Sequence, residues 1–169
     1  MVWVMNELSL LEFRSDESDA RSMARVEQAF EDRRRRMLKG TLFDRLELHW
    51  ICTRPEIDAA WKRFQTEFSP ERIARFPEAR RPDLEKMVSL GKDAYDRLCN
   101  DQQRREYRVS VTDKTMVESS AEMLAKKGDM AIMKGQLQEA IDCFAKANEL
   151  MPNVPEYRDG LNRARSTHG

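Results

Sequence analysis

Histidine is nearly missing from this chain: His49 and His168 are the only two in 169 residues. A zinc site or a Ser–His relay needs imidazoles that converge, so both chemistries have little to draw on. Glycine is scarce as well, at 6 residues, and no Gly-rich phosphate-cradling loop is among them. Cys52, Cys99 and Cys143 are odd in number and far apart, without paired metal-ligand spacing. They read as reduced thiols of a cytosolic protein, each a small, partly buried residue. No eighteen-residue apolar run occurs, so no transmembrane helix is expected. The first residues lack a basic start and a small-residue cleavage pattern, so they do not form a signal peptide. Lys+Arg and Asp+Glu balance at 30 each, and a chain without a basic excess is poorly suited to bind nucleic acid. Together these absences point away from an enzyme, a cofactor, a metal or a membrane partner, and towards a cytoplasmic location.

What the chain does have is charge, at 36% of residues, arranged with helical period. The stretch from Thr53 to Tyr107 organises the rest. Ile57, Trp61, Phe64 and Phe68 recur at i, i+4, i+7 and i+11, one face of a helix with Trp61 as a core candidate. Thr53 fits its N-cap and Pro55 its first turn. Pro70 ends it, because proline drives the preceding residue out of the α region. A loop rich in Pro and Arg follows through Pro82, and a second helix begins near Asp83. Its inner face carries Leu84, Met87, Val88, Gly91, Ala94, Tyr95 and Leu98. Two apolar faces of similar length joined by a loop predict an antiparallel helical hairpin.

The order of features over roughly Thr41 to Val109 resembles a J domain, the co-chaperone module that stimulates DnaK-type heat-shock ATPases. Leu42 to Leu48 is similar to its short first helix, Ala60 to Phe64 to the middle of its second, Ala94-Tyr95 and Leu98 to its third, and Arg104 to Tyr107 to its fourth. The family's signature is His-Pro-Asp in the loop after the second helix. Ser69-Pro70-Glu71 stands there in this chain: the Pro matches, the His is absent, and the Asp is lengthened to Glu. The family's second helix presents a basic face for its partner, which the resemblance carries over to Lys62 and Arg63. Asp58 and Lys62, and Arg63 and Glu67, sit at i, i+4, which predicts that much of this charge is neutralised locally.

The N-terminal segment is apolar at Val2, Trp3, Val4, Leu8, Leu10, Leu11 and Phe13. It should dock on this chain or on another. Ser15 to Asp19 supplies caps for a helix from about Glu17 to Leu38 that stops at Gly40. Met23, Val26 and Phe30 form an apolar stripe on it which, with Trp3, suits self-association into a homodimer. Arg33 to Arg36 is a run of four bases that wraps around the helix, consistent with a solvated helix end. An anionic surface gripped by Arg33 to Arg36, Arg80 and Arg81 is the other reading.

Beyond a polar stretch at Ser110 to Ser120, which is expected to hold a linker and the start of another helix, lies the clearest pattern. Leu124, Gly128, Ala131, Gly135, Leu137, Ala140, Phe144, Ala147, Leu150 and Pro152 resemble a tetratricopeptide repeat, a helix–turn–helix unit of about 34 residues. Gly128 and Ala140 match the small positions where its helices approach, Phe144 and Ala147 its packing positions, and Pro152 its closing turn. Leu124 stands for the usual Trp and Ala131 for the usual Tyr. One repeat cannot bury its own faces. Pro155 to Arg165 is suited to cap one side, and the other needs the fourth J-like helix, the N-terminal segment or a second molecule. The ten methionines read as core filler, with Met130, Met133 and Met151 available to soften a binding groove.

The expectation is an all-α protein in three parts: an N-terminal segment and helix at 1–40, a degenerate J-like region at 41–110, and a repeat with its capping helix at 111–169. Its expected role is a non-enzymatic protein-interaction or scaffold module with a protein partner. Similar J-like and repeat tails are appended to bacterial regulatory proteins, so the chain would fit within a longer polypeptide of a regulatory or signalling assembly. Co-chaperone activity and anionic-surface binding are the alternatives.

Overall fold

A computed structural model describes the backbone of residues 20–168 and the side chains of residues 25–167. Among these residues every regular element is helical, so the protein is all-α. The helices are α1 (Ala20–Lys39), α2 (Leu42–Arg45), α3 (Arg54–Glu67), α4 (Pro70–Ile73), α5 (Arg81–Leu98), α6 (Asp101–Val111), α7 (Lys114–Met133), α8 (Leu137–Leu150) and α9 (Pro155–His168). A single 3-10 turn, Glu78–Arg80, precedes α5.

Local chemistry sets the boundaries. Thr41 starts α2 with a full capping box: its Oγ1 accepts from Asp44 N at 3.2 Å while Asp44 Oδ2 accepts from Thr41 N at 2.7 Å. Thr53 opens α3 as its position predicts, its carbonyl accepting from Ile57 N at 3.1 Å and its N–H donating to Glu56 Oε2 at 2.8 Å. Asn100 and Asp113 cap α6 and α7 through their side chains. Glycine stops α1 by close approach, since a Cβ at Gly40 would lie 2.5 Å from the Arg36 carbonyl oxygen. The left-handed glycine is Gly135, at φ 71° in the turn between α7 and α8. The polar stretch after Ser110 holds a short break and the start of the next helix. Only Thr112 and Asp113 separate α6 from α7, and α7 begins seven residues before Ala121.

The chain forms two compact units that cut across the three-part division expected from the sequence. Unit 1 gathers the described residues up to Leu48 with Asp58–Arg97, and unit 2 gathers His49–Ile57 with Leu98 onward. The fourth helix of the J-like stretch, α6, therefore belongs with the repeat-like helices, and α3 and α5 each cross the division.

In unit 1 the Phe64 ring packs so closely on Gly91 that a Cβ there would lie 2.1 Å from its Cζ. Phe64, Phe68, Leu84 and Met87 are buried. Trp61 is only half-buried, stacked between Tyr95 at 4.8 Å and Phe64 at 5.4 Å between ring centroids. The core ring of α3 is thus Phe64, with Trp61 outside it.

In unit 2 the Phe144 ring of α8 lies between two glycines. A Cβ would fall 2.7 Å from it at Gly128 on α7 and 2.3 Å at Gly160 on α9. Small residues let three helices close on one ring, and Ala125, Ala131, Ala140, Ala147 and Ala164 complete that core. A second cluster of Val117, Ala121 and Leu150 is covered by Trp50 and Ile51 from the segment ahead of α3. Two buried arginines of α6 hold this cover in place. Arg104 grips Glu149 of α8 through two bonds, at 2.8 and 2.9 Å, and donates to the Leu98 carbonyl at 2.8 Å. Arg108 donates to the Trp50 and Cys52 carbonyls at 2.9 and 3.1 Å and meets Glu149 at 3.2 Å. Arg108 thus ties the segment 49–57 to Glu149 of α8, and Arg104 ties the end of α5 to the same carboxylate.

Candidate functional site

Unit 1 carries an open cleft of about 350 Å³ bounded by α1, the turn after α2, α3 and α4. Leu46, Ala60 and Phe64, all buried, supply its apolar lining. Four cations line it, Arg33, Lys62, Arg63 and Arg72, against two carboxylates, Glu47 and Glu67.

Arg33 decides how those charges pair. It is 2% exposed, not solvated as the four-base run suggested. Its Nε and Nη2 each lie 3.3 Å from an oxygen of Glu67, and its Nη1 faces Glu47 at 3.4 Å. Its guanidinium also sits over the Phe64 and Phe68 rings, at 5.9 and 5.8 Å. Burial pushes the Glu67 carboxyl up, and the neighbouring Arg33 offsets this only in part. Glu47 reaches Arg33 and Arg36 from a left-handed backbone, φ 55°, in the turn that ends α2. For a side chain longer than Asn or Asp that conformation is strained.

The predicted neutralisation of α3 therefore does not form as expected. Glu67 is taken by Arg33, and Asp58 accepts from the Tyr95 hydroxyl at 3.1 Å. Lys62 and Arg63 stay exposed, with no carboxylate within ion-pair reach among the described residues. Arg72 of α4 stands beside them on the cleft. Several other bases of unit 1 do find carboxylates: Arg34 pairs with Glu31 and Asp83, Arg35 with Asp32, Arg36 with Glu47, and Arg80 with Glu27 and Glu31. Of the bases from Arg33 to Arg36 with Arg80 and Arg81, Arg33 is thus buried, Arg34 to Arg36 and Arg80 each meet a carboxylate, and Arg81 is exposed without such a pair.

Ser69-Pro70-Glu71 opens a helix rather than lying in an open loop. Ser69 is the N-cap of α4 and Pro70 follows it at the start of the helix. The Glu71 carboxyl is held below its usual range by its own backbone amide and by the Ser69 hydroxyl. It is fully turned to solvent.

Of the repeat-like positions, Gly128, Ala131, Ala140, Phe144 and Ala147 are buried in unit 2, Leu124 is half-buried against both of its clusters, and Pro152 is exposed in the turn after α8. Of the self-association candidates, Trp3 and the Met23 side chain lie outside the described residues. Val26 is half-buried. Phe30 is spent inside unit 1, its ring 6.0 Å from Phe76 and under the Arg80 guanidinium at 5.0 Å, so it does not offer an open stripe.

Burial raises the Cys52 thiol to about 11. No group of three or more potential metal-ligating side chains converges among the described residues. No helix among them is long and apolar enough to cross a membrane. No family model, curated protein or solved structure matches the chain.

Several organising residues went unmarked as such in the sequence: Glu47, Arg108, Glu149 and Gly160, while Arg104 was named only for its place in the fourth J-like helix. Only Arg104 and Arg108 carried a signal, an i, i+4 pair of like charges on an otherwise polar helix, which requires either solvent or a shared carboxylate.

Proposed function

We propose that this chain is a non-enzymatic protein-interaction module, and that unit 1 receives an acidic segment of a partner protein along Lys62, Arg63 and Arg72. One observation carries the reading. These three cations stand together on an apolar-lined cleft without carboxylate partners, while most of the neighbouring bases are paired. An exposed cationic face over an apolar lining suits a carboxylate-bearing segment by charge and by shape. A scaffold in a bacterial regulatory assembly is the setting that the J-like and repeat-like resemblances suggest.

The test uses the intact chain, with its partner identified by cross-linking in cells and then purified. Lys62→Glu with Arg63→Glu changes two exposed positions, so the fold should persist. Binding should fall sharply in that variant and weaken as salt is raised. Affinity that is indifferent to both changes removes the proposal.

A second reading is favoured by the same face. Free Lys62 and Arg63 on the second helix are what the J-domain resemblance assigns to contact with a DnaK-type ATPase. Ser69 cannot present an imidazole, so the expected result in a single-turnover ATPase assay is no stimulation. Stimulation that disappears with Pro70→Ala would replace the scaffold reading with the co-chaperone one.

A further inference from the structure

The outer face of α7 carries four methionines that its own unit leaves in solvent: Met116, Met123, Met130 and Met133 are 53%, 65%, 54% and 86% exposed. The opposite face of the same helix is already filled, with Val117, Ala121, Ala125, Gly128 and Ala131 buried. Met116, Met123 and Met130 are spaced by seven, and Met133 follows by three. That is the spacing of the a and d positions of a two-helix seam. The charged residues beside the stripe keep the same period. Glu122 and Asp129 come one residue before a methionine, at g, while Lys127 and Lys134 come four after, at e.

We propose that this face is a homodimer seam, in which two copies of the chain lay their α7 helices side by side and parallel about a two-fold axis. Charge complementarity selects the occupant. In a parallel pair, g of one helix meets e of the next heptad on the other. Glu122 then faces Lys127 of the second copy, and Asp129 faces Lys134 of the second copy. In an antiparallel pair g meets g and e meets e, which sets acid against acid and base against base. The stripe therefore fits a second copy of itself in one direction only. Lys126 sits at a d position with its ammonium 2.6 Å from Glu122, and its carbon stem extends the apolar surface. Ser119 takes the preceding d position, and polar seam residues of this kind weaken a dimer and fix its register. Lys127 and Asp129 pair with Glu139 and Arg163 within the monomer, but these are exposed pairs of little strength and can exchange.

The proposal deepens the interaction-module reading at a different surface, so either can fail alone: a monomer in solution removes the seam and leaves the cleft to its own test. Sedimentation equilibrium of the full chain across a wide concentration range should show a reversible dimer. Met123→Glu should weaken it about tenfold or more, with the helical spectrum unchanged because the position is exposed. Glu122→Lys should also weaken it, and adding Lys127→Glu should restore it. Met116→Cys should cross-link to its own counterpart on oxidation, as parallel pairing requires. A monomer at every concentration, or a dimer indifferent to Met123→Glu, overturns the seam. A stronger dimer with Glu122→Lys overturns the parallel arrangement. A monomer that loses a purified partner on Met123→Glu assigns the stripe to that partner and also overturns the proposal.

Discussion

Arg33 and Glu67 form the central polar contact of unit 1, two N–O approaches of 3.3 Å with side chains 3% and 14% exposed. The pair joins α1 to the end of α3 and sits over the Phe64 and Phe68 rings. It also explains why Arg63, one turn before Glu67, is left free. A carboxylate that could have neutralised the outer face of α3 is drawn inward instead.

Replacing Arg33 with Met keeps most of the volume but strands Glu67 among apolar groups. Breaking one side of a buried pair destabilises by about 3–5 kcal/mol, and urea melts should give a loss in that range. Glu67→Gln should behave differently with pH. The folded-state value of Glu67 is raised, so its linked stabilisation is present below the unfolded value and is lost as pH rises through the folded one. Gln stands in for the protonated carboxyl and does not titrate, so wild type should lose stability relative to Glu67→Gln as pH rises from acid towards neutral. A wild type that gains on Glu67→Gln over that range contradicts the assigned direction.

Phe144 depends on the two glycines that flank it. A Cβ at Gly160 would stand 2.3 Å from the ring, so Gly160→Ala must push α9 or the ring aside. Overpacking of this kind destabilises by about 1–3 kcal/mol, and Phe144→Leu in the same chain should recover part of it. Phe144→Ala alone should lose about 3–5 kcal/mol. Thermal and urea melts of Gly160→Ala, Phe144→Leu and their double variant, with Phe144→Ala beside them, check this. Simple additivity would mean that the ring and Gly160 are not in contact.

The helices were legible because their apolar residues repeat with helical period. Ile57, Phe64 and Phe68 on one stretch, and Leu84, Met87 and Ala94 on the other, are buried as that period requires. Gly128 and Ala140, small residues at positions of close helix approach, are buried in the core of unit 2, with Gly128 against the Phe144 ring. The fate of Arg33 was not legible. Its partners Glu47 and Glu67 are distant in sequence, and Glu47 reaches it only through a left-handed turn residue that no pattern marks. The α7 methionines, read as core filler apart from Met130 and Met133, lie outside for a related reason. Small residues on the inner face already fill the space against α8 and α9, so the large ones are left outside. The cleft was half legible: Lys62 and Arg63 stood out, while their freedom from carboxylates depended on where Glu67 turned.

The cysteines should separate cleanly by reactivity. Cys52 is 2% exposed, with its thiol raised to about 11, and Cys143 is buried and raised by burial as well. A thiol kept protonated and covered alkylates slowly. Cys99 is partly exposed. Iodoacetamide labelling of the native chain, followed by mass spectrometry, should modify Cys99 first and reach Cys52 and Cys143 only on unfolding. Early labelling of Cys52 would mean that residues 49–57 open away from the rest of unit 2.

That same segment gives unit 2 an acid-sensitive clasp at Glu56. Burial pushes the Glu56 carboxyl up, but the Thr53 backbone N–H, Lys146 and the Thr53 hydroxyl together hold it below its usual value. The contacts are short: 2.8 Å to Thr53 N, 3.0 Å to Thr53 Oγ1 and 2.9 Å to Lys146 Nζ. A lowered folded value contributes stability above the unfolded value, and that stability is lost as pH falls through the folded one. Protonation removes the attraction to Lys146 of α8 and weakens the cap of α3 in one step. Glu56→Gln retains an oxygen acceptor but carries no charge to lose. Its stability should therefore fall below wild type near neutral pH, and the two should converge as pH drops through the carboxylate range. The Lys146→Met variant should reproduce part of the loss at neutral pH and retain the part due to Thr53. Urea melts at a series of pH values on the three chains decide it. Parallel curves for wild type and Glu56→Gln at all pH values would show that this carboxylate does not clasp the segment, and that Arg108 holds it through the Trp50 and Cys52 carbonyls.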